Sequence, residues 1–499
     1  MSEEVRNGAP QEVEVDVNEV RKVRIDKLND LVARGRNPFE IVSYTRTATA
    51  GAIHADYESY EDKEVSIAGR LVSKRIMGKA SFGHVMDSDG KMQGYFSRDD
   101  MGVEEYQDFK KLDVGDIVGI EGRVFKTKMG EISVHVKKVT LLSKSLLPLP
   151  EKFHGLKDPE LRFRQRYVDL IANPDVKDVF IKRSKIISSI RELLDSKGYI
   201  EVETPVLNTL AGGANARPFI THHNTLDIDM YMRIATELHL KRCIVGGFEK
   251  VYEIGRQFRN EGMDTKHNPE FTTIELYQAY ADYKDMMDIT EEIYVNAAKK
   301  VCGTLDISYQ GQQLSLKTPW ERLTMVDAVK KYTGLDFDNE PLCDLIAKGN
   351  KMGLDMAADT SWGKALYSIF DAFVEEKLTG PVFIMDYPVE VSPLAKKKAS
   401  DPRLTERFEF FICASEGGNA FSELNDPIDQ RSRFEQQMLA KAKGDEEAQP
   451  YDEDFCTALE YGMPPTGGLG IGIDRMVMFL TDCASIRDVL LFPTMRPLK

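Results

Sequence analysis

The sequence lacks any C-x-x-C pair, any apolar run of bilayer length and any excess of positive charge, and each absence removes a class of function. Its six cysteines, Cys243, Cys302, Cys343, Cys413, Cys456 and Cys483, are scattered. Such spacing supports neither a zinc site nor a disulfide framework and predicts reduced, mostly buried thiols. Without a run of about 20 apolar residues there is no candidate membrane span. The first residues, "MSEEVRNGAPQEVEVDVNEV", are acidic and lack the hydrophobic segment of an export signal or transit peptide, so the expected location is cytoplasmic. Neither G-x-G-x-x-G nor a P-loop occurs, so any nucleotide must be held by other means.

What is present is an ordinary globular balance, 29% charged and 42% hydrophobic residues, in 499 residues, enough for two or three domains. The formal net charge of −15 works against nucleic-acid binding by the chain as a whole. Local charge differs: "RLVSKRIMGK" (70–79) carries Arg70, Lys74, Arg75 and Lys79 with no acid, and "GRVFKTKMG" (122–130) is also basic.

The expected fold class is α+β. Residues 1–60 read as a helical extension in which "VNEVRKVRIDKLNDLVARG" forms a helix ending at Gly35. Short alternating runs broken by glycine over 61–145 predict a small β-barrel of about five strands. A proline-marked linker over 146–176 precedes a long mixed segment, 177–499, with a helical insertion at about 281–390. Within it "KDVFIKRSKIISSIRELLDSKG" (177–198) places Ile186, Ile190, Leu193 and Leu194 at helical spacing and stops on Gly198.

Three stretches carry chemistry. "FRNEGMDTKHNPEF" (258–271) is a polar loop between two strand-like runs, whose arginine fork suits phosphate oxygens and whose phenylalanine suits a flat base. "GGLGIGIDRMVMF" (467–479) puts Gly468, Gly470 and Gly472 on alternate positions, clearing one face of a strand just before Asp474 and Arg475. "RFEFFICASEGGNAFSELND" (407–426) spaces Glu409, Glu416 and Glu423 so that two of them could converge on Mg²⁺ ions bridging phosphates.

Together these stretches resemble the three motifs of the class II aminoacyl-tRNA synthetases. "GYIEVETPVLNTLAGGANARPF" (198–219) is similar to motif 1, with Pro205 at the dimer-interface position, "FRNEG…HNPEF" to motif 2 and "GLGIGIDR" to motif 3. The His-Ile-Gly-His and Lys-Met-Ser-Lys-Ser marks of the class I enzymes are absent. The β-rich segment resembles the anticodon-binding OB barrel of the subgroup containing lysyl, aspartyl and asparaginyl enzymes (class IIb). The resemblance therefore implies an OB-fold followed by a catalytic domain built on a mostly antiparallel sheet flanked by helices.

Charge sign selects within the subgroup. Aspartyl enzymes place an arginine where this chain has Glu423 in "SELND", and Glu237, Glu275 and Tyr277 add acids and an aromatic wall. Such a pocket fits the methylene stem and ammonium of lysine. Local phrases such as "GGANARPFITHHNTLD" and "NAFSELNDPIDQ" resemble the lysine-specific branch.

By position, the resemblance implies that Arg259 holds the α-phosphate of ATP and the lysine carboxylate, that Glu261 reads the adenine amino group, and that Phe271 stacks under adenine with Arg475 opposite. It implies His267 at the γ-phosphate, Glu409 and Glu416 as ligands of Mg²⁺, and Glu237, Tyr277 and Glu423 on the lysine side chain. Asn419 and Phe421 would line the pocket and Gly213 and Glu275 would meet the α-amino end. Arg75, Phe82, Gln93 and Glu131 are the candidates for reading the anticodon of tRNA(Lys), and a homodimer is implied by motif 1. Two rival readings are a ligase attaching lysine to a protein of the elongation factor P type and a non-catalytic RNA-binding regulator. The β-domain speaks against the first and the intact Arg259, Glu409, Glu416 and Arg475 against the second.

Overall fold

The computed structural model describes residues 17–150, 156, 158–442 and 450–498. Residues 1–16, part of the expected extension, and residues 151–155 and 157, part of the expected linker, lie outside the described residues. The chain divides into two compact units, Met1–Gly155 and Leu156–Lys499.

In the first unit, β1 (Glu64–Met77), β2 (Ala80–Met86), β3 (Lys91–Ser97), β4 (Ile117–Lys126) and β5 (Ile132–Ser143) close into a barrel in the order β1-β2-β3-β5-β4. Alternation explains the closure: β2 buries every second residue, and inward Leu71, Val85, Met92, Phe96 and Val134 meet in one core. The N-terminal helix α1 (Val17–Ala33) stops near Gly35, whose φ of +68° suits glycine. The helix is fastened to the barrel by a buried cation: Arg24 donates to the carbonyls of Ser145 (3.0 Å), Leu147 (2.9 Å) and Val114 (3.2 Å).

The second unit is built on an eight-stranded sheet. Its members are β6 (Ile200–Glu201), β7 (Lys250–Phe258), β8 (Glu270–Ala279), β9 (Glu321–Thr324), β10 (Val382–Met385), β11 (Arg407–Phe411), β12 (Glu416–Ser422) and β13 (Thr466–Gly472). They lie in the order β9-β10-β11-β12-β13-β8-β7-β6, antiparallel except at the β9/β10 and β7/β6 pairs. One face of the sheet is covered by α2 (Pro174–Ser196) and α4 (Tyr283–Cys302), which bury Ile186, Ile190, Leu194 and Tyr294 against Leu276, Leu469 and Ile471. The helix expected over 177–198 starts at Pro174, a residue already shaped for a first helical turn, and ends before Gly198 at φ +79°. The opposite face stays open over the central strands.

Two expectations need correction, those on segment 281–390 and on the cysteines, and the basic run adds a finding of its own. Segment 281–390 is not purely helical: β9 and β10 within it join the main sheet, and Asp306–Tyr309 pairs with Gln312–Ser315 as a separate hairpin. The basic run at 70–79 is not all outward. Lys74 turns in to the carbonyls of Lys110 (2.8 Å) and Leu112, where burial pulls its pKa down to about 8, and Arg70 donates to the Gly115 carbonyl at 2.7 Å. All six cysteines are free, but only Cys456 is buried, and Cys343 is exposed. Among the described residues no helix is long and apolar enough to cross a membrane.

Candidate active site

The loop between β7 and β8 is set by the hairpin register, which pairs Phe258 with Glu270 and Gln257 with Phe271. Asp264 organises its tip, accepting from the backbone N–H of Lys266 (2.6 Å) and His267 (2.7 Å), with His267 Nδ1 at 2.8 Å. The first residue past β7, Arg259, lays its guanidinium over the Phe271 ring at 5.1 Å. Its buried Nε finds no hydrogen-bond partner, a donor left for something else in the cavity.

On β13 the alternation works in both directions. Leu469 and Ile471 point into the core, while Gly468, Gly470 and Gly472 leave the other face bare. After the strand, helix α5 (Ile473–Thr481) opens with Asp474, whose carboxylate accepts from the Thr272 backbone N–H at 2.7 Å and pairs with Arg183 of α2. This buried clamp fixes the next residue. Arg475 donates to the Glu416 carbonyl at 2.6 Å, lies 3.3 Å from its carboxylate, and meets His267 Nε2 at 3.2 Å. Arg259 and Arg475, from segments 216 positions apart (475 − 259), line the same cavity of about 450 Å³.

Its second wall comes from β11 and β12. Glu409 accepts from Tyr387 Oη at 2.8 Å and pairs with Arg407, which stacks on the Tyr387 ring at 4.6 Å. Burial pushes the Glu409 carboxyl up to about 7; Arg407 holds it back, and the Glu416 charge adds to the rise. Two carboxylates thus share a wall whose positive charge only partly compensates them.

The far end of the cavity is acidic. Glu237 opens helix α3 (Glu237–Val245), Glu275 and Tyr277 stand on β8, and Glu423 follows β12. Glu275 is pushed up to about 7, first by burial and then by the Glu237 charge, and is eased by the Thr236 backbone N–H at 3.2 Å. Tyr277 Oη lies 3.5 Å from Glu275. Glu423 is fully buried, and its ion-pair partner is Lys241, one helical turn after Glu237. The glycine at 468 is obligatory here, because a Cβ would sit 2.0 Å from Glu423 Oε1 and 2.5 Å from the Tyr277 ring. Gly213, Glu261, Phe271, Asn419 and Phe421 line the same space.

The cavity therefore offers two guanidinium forks and a carboxylate pair at one end, where a polyphosphate fits, and an acid-and-ring hollow at the other, where an organic cation fits. Comparison with known proteins agrees. Residues 158–496 match the family model of class II tRNA synthetases (D, K and N), and residues 65–142 match that of the OB-fold nucleic acid binding domain. The chain belongs to the class II tRNA synthetases of the D, K and N group. It is 58% identical over 484 residues to the lysine–tRNA ligase of Thermoanaerobacter sp. (strain X514), covering 97% of each chain. The lysine–tRNA ligase of Carboxydothermus hydrogenoformans is 57% identical, with 97% of this chain and 99% of the relative covered. That of Clostridium tetani is 56% identical over 502 residues, with 100% and 99% covered.

In this class II synthetase the barrel residues singled out from sequence sit on β1, β2, β3 and immediately before β5. Arg75 is exposed and pairs in register with Phe82, which in turn pairs with Tyr95. Phe82 lies outside the barrel core, half-buried with its ring 5.3 Å from that of Tyr95. Gln93 accepts from Ser133 Oγ at 2.8 Å, and exposed Glu131 donates its backbone N–H to Thr127 Oγ1 at 3.0 Å. Sequence reasoning missed the continuation of this strip, in which the His135 ring lies tilted 5.2 Å from that of Tyr95 and Phe125 lies 5.7 Å from His135. It also missed Arg407, two residues before Glu409 and hence on its face of the strand, and Lys241, at helical spacing from Glu237; both spacings were readable.

Proposed function

We propose that this chain is a lysine–tRNA ligase, which activates L-lysine with ATP to lysyl-adenylate and transfers the lysyl group to the 3′ end of tRNA(Lys). The observation that carries the reading is the juxtaposition, in one cavity, of Arg259 and Arg475 with the acidic hollow of Glu237, Glu275 and Glu423. A pocket for aspartate would not bury Glu237 and Glu423 beside the substrate side chain, since like charge there costs several kcal/mol.

In the first step the lysine carboxylate attacks the α-phosphorus of ATP in line and pyrophosphate leaves. Arg259 holds the α-phosphate and the lysine carboxylate, and its unpartnered Nε supplies a ready donor. Phe271 stacks under adenine, Glu261 reads its amino group, and Arg475 covers the other face with His267 toward the γ-phosphate. Arg259 now rests on the Phe271 ring, so adenine binding requires that guanidinium to shift toward the phosphates. Gly213 and Glu275 receive the α-amino group, while Glu237, Tyr277 and Glu423 grip the side chain between Asn419 and Phe421. No protein nucleophile is required, because alignment and charge neutralisation supply the stabilisation.

Glu409 and Glu416 fit Mg²⁺: they line one cavity from adjacent strands, and the Glu409 carboxyl, raised first by burial and further by the Glu416 charge, would be relieved by a cation. When bound with ATP, the ion neutralises phosphate charge and helps pyrophosphate leave.

On the barrel, Phe82 stacks an anticodon base while Arg75, Gln93 and Glu131 contact its neighbours. A homodimer is supported by exposed apolar residues in and after the motif 1 segment, Ile200, Val206, Leu207, Leu210, Ile220 and Ile228. The reaction belongs in the cytoplasm. The decisive experiment is ATP–pyrophosphate exchange with each of the twenty amino acids, followed by charging of tRNA(Lys): lysine alone should support exchange, and robust exchange with aspartate would overturn the reading.

A further inference from the structure

We infer that Lys241 is a built-in countercation that positions Glu423 as a charged acceptor, and that through it the cavity prefers a cationic amino acid over a neutral one of the same shape. The inference rests on the lysine reading above and names a residue that touches no substrate.

Lys241 has no exposed side-chain surface and does not line the cavity. Its Nζ lies 2.6 Å from Glu237 Oε1 and in ion-pair contact with Glu423 Oε2, and it is flanked by the rings of Phe421 at 5.2 Å and Phe455 at 5.9 Å. A lysine enclosed by two carboxylates and two rings has lost its rotamer freedom, so it fixes both acids from behind. Neither Glu423 oxygen makes a hydrogen bond of regular geometry, but Oε2 is the one in ion-pair contact with Lys241, while Oε1 faces the gap left by Gly468 beside Tyr277. One oxygen is anchored and the other is left for a ligand.

The charges around Glu423 make the anchor necessary. Lys241 and Glu237 face it from α3, Glu275 and Tyr277 from β8, and the glycine strand β13 contributes no charge. Burial pushes the Glu423 carboxyl well up, Lys241 draws it back, and Glu237 and Glu275 add to the rise. Three acids and one cation leave the hollow short of positive charge, and an incoming ammonium supplies it. Without Lys241, Glu423 would hold a proton to higher pH and offer a hydroxyl where a carboxylate is required.

The test is pyrophosphate exchange with lysine and with norleucine, its neutral counterpart, in the unmodified enzyme, Lys241→Met and Lys241→Arg, between about pH 6 and pH 9. Both substrates share the α-amino group, so the pairing of Glu275 with that group cancels in the ratio of their kcat/KM values. The ratio should climb only shallowly with pH in the unmodified enzyme, as Glu275 ionises around pH 7. In Lys241→Met it should fall about tenfold or more near neutral pH and climb as pH rises, and Lys241→Arg should restore it. Should Lys241→Met not fold, the double variant Lys241→Met/Glu237→Gln removes one charge of each sign and should show the same climb. A ratio in a folded variant that matches the unmodified enzyme's in size and slope, with both substrates losing equally or neither losing, would overturn the inference while leaving the lysine reading intact. Absence of lysine-dependent exchange in the unmodified enzyme would overturn both.

Discussion

The catalytic cavity and the outer face of the barrel recognise ligands with different materials. In the cavity, charges are buried and held by other charges: Glu409 by Arg407 and Tyr387, Glu423 by Lys241, Asp474 by Arg183. On the barrel, the rings of Phe82, Tyr95, His135 and Phe125 form a half-buried strip with few ionic ties. Buried charge discriminates strongly, because a mismatched partner is stranded away from water, whereas stacking on a half-exposed ring is worth less and tolerates any flat base. The first region therefore suits the choice of one amino acid and the phosphate chemistry, and the second the holding of a flexible single strand.

That contrast can be broken by measurement. The largest effect should come from Arg259→Ala, which removes a donor where charge develops and should lower kcat for exchange by about a thousandfold, read in steady-state exchange assays. Glu423→Gln takes one of the two ion-pair partners from Lys241 and removes the charged acceptor for the side chain; lysine kcat/KM should fall by about 2 kcal/mol or more, with the KM for ATP nearly unchanged. If ATP use falls equally, the two ends of the cavity are not separate subsites.

A gentler probe is pH. Glu275, pushed up to about 7, must be ionised to pair with the α-amino group, so lysine kcat/KM should rise about tenfold from pH 6 to pH 8 and lose that rise in Glu275→Gln. The smallest effect should be on the barrel. Phe82→Ala should weaken charging of tRNA(Lys) by about 1 kcal/mol, seen in its KM, and leave pyrophosphate exchange untouched. A loss of exchange in that variant would mean that the barrel supports the catalytic unit rather than serving the tRNA alone.

Much of this was legible before any coordinates. The strand-loop-strand pattern around 258–271 depends on local alternation, and the alternate glycines at 468, 470 and 472 carry their one-sided placement in their spacing. Long-range pairing was not legible: β9 and β10 lie side by side although 57 residues separate them (382 − 324 − 1), and no local pattern records a parallel partner so distant. The inward turn of Lys74 was equally hidden, because its acceptors, the carbonyls of Lys110 and Leu112, are set by the end of a helix that the run itself does not contain. Residues that act on other residues, such as Arg407 and Arg183, also escape a reading that looks for contacts with substrate.

The missing side chain at position 468 has an evolutionary consequence. Any residue larger than glycine there would collide with the carboxylate at 423, so neither site can drift alone. A lineage moving toward a different amino acid would have to shorten the acid first and fill the strand afterwards, and the intermediate would leave the ammonium at 241 with Glu237 as its remaining partner. The order of steps is thereby constrained, and specificity is protected by geometry as well as by affinity.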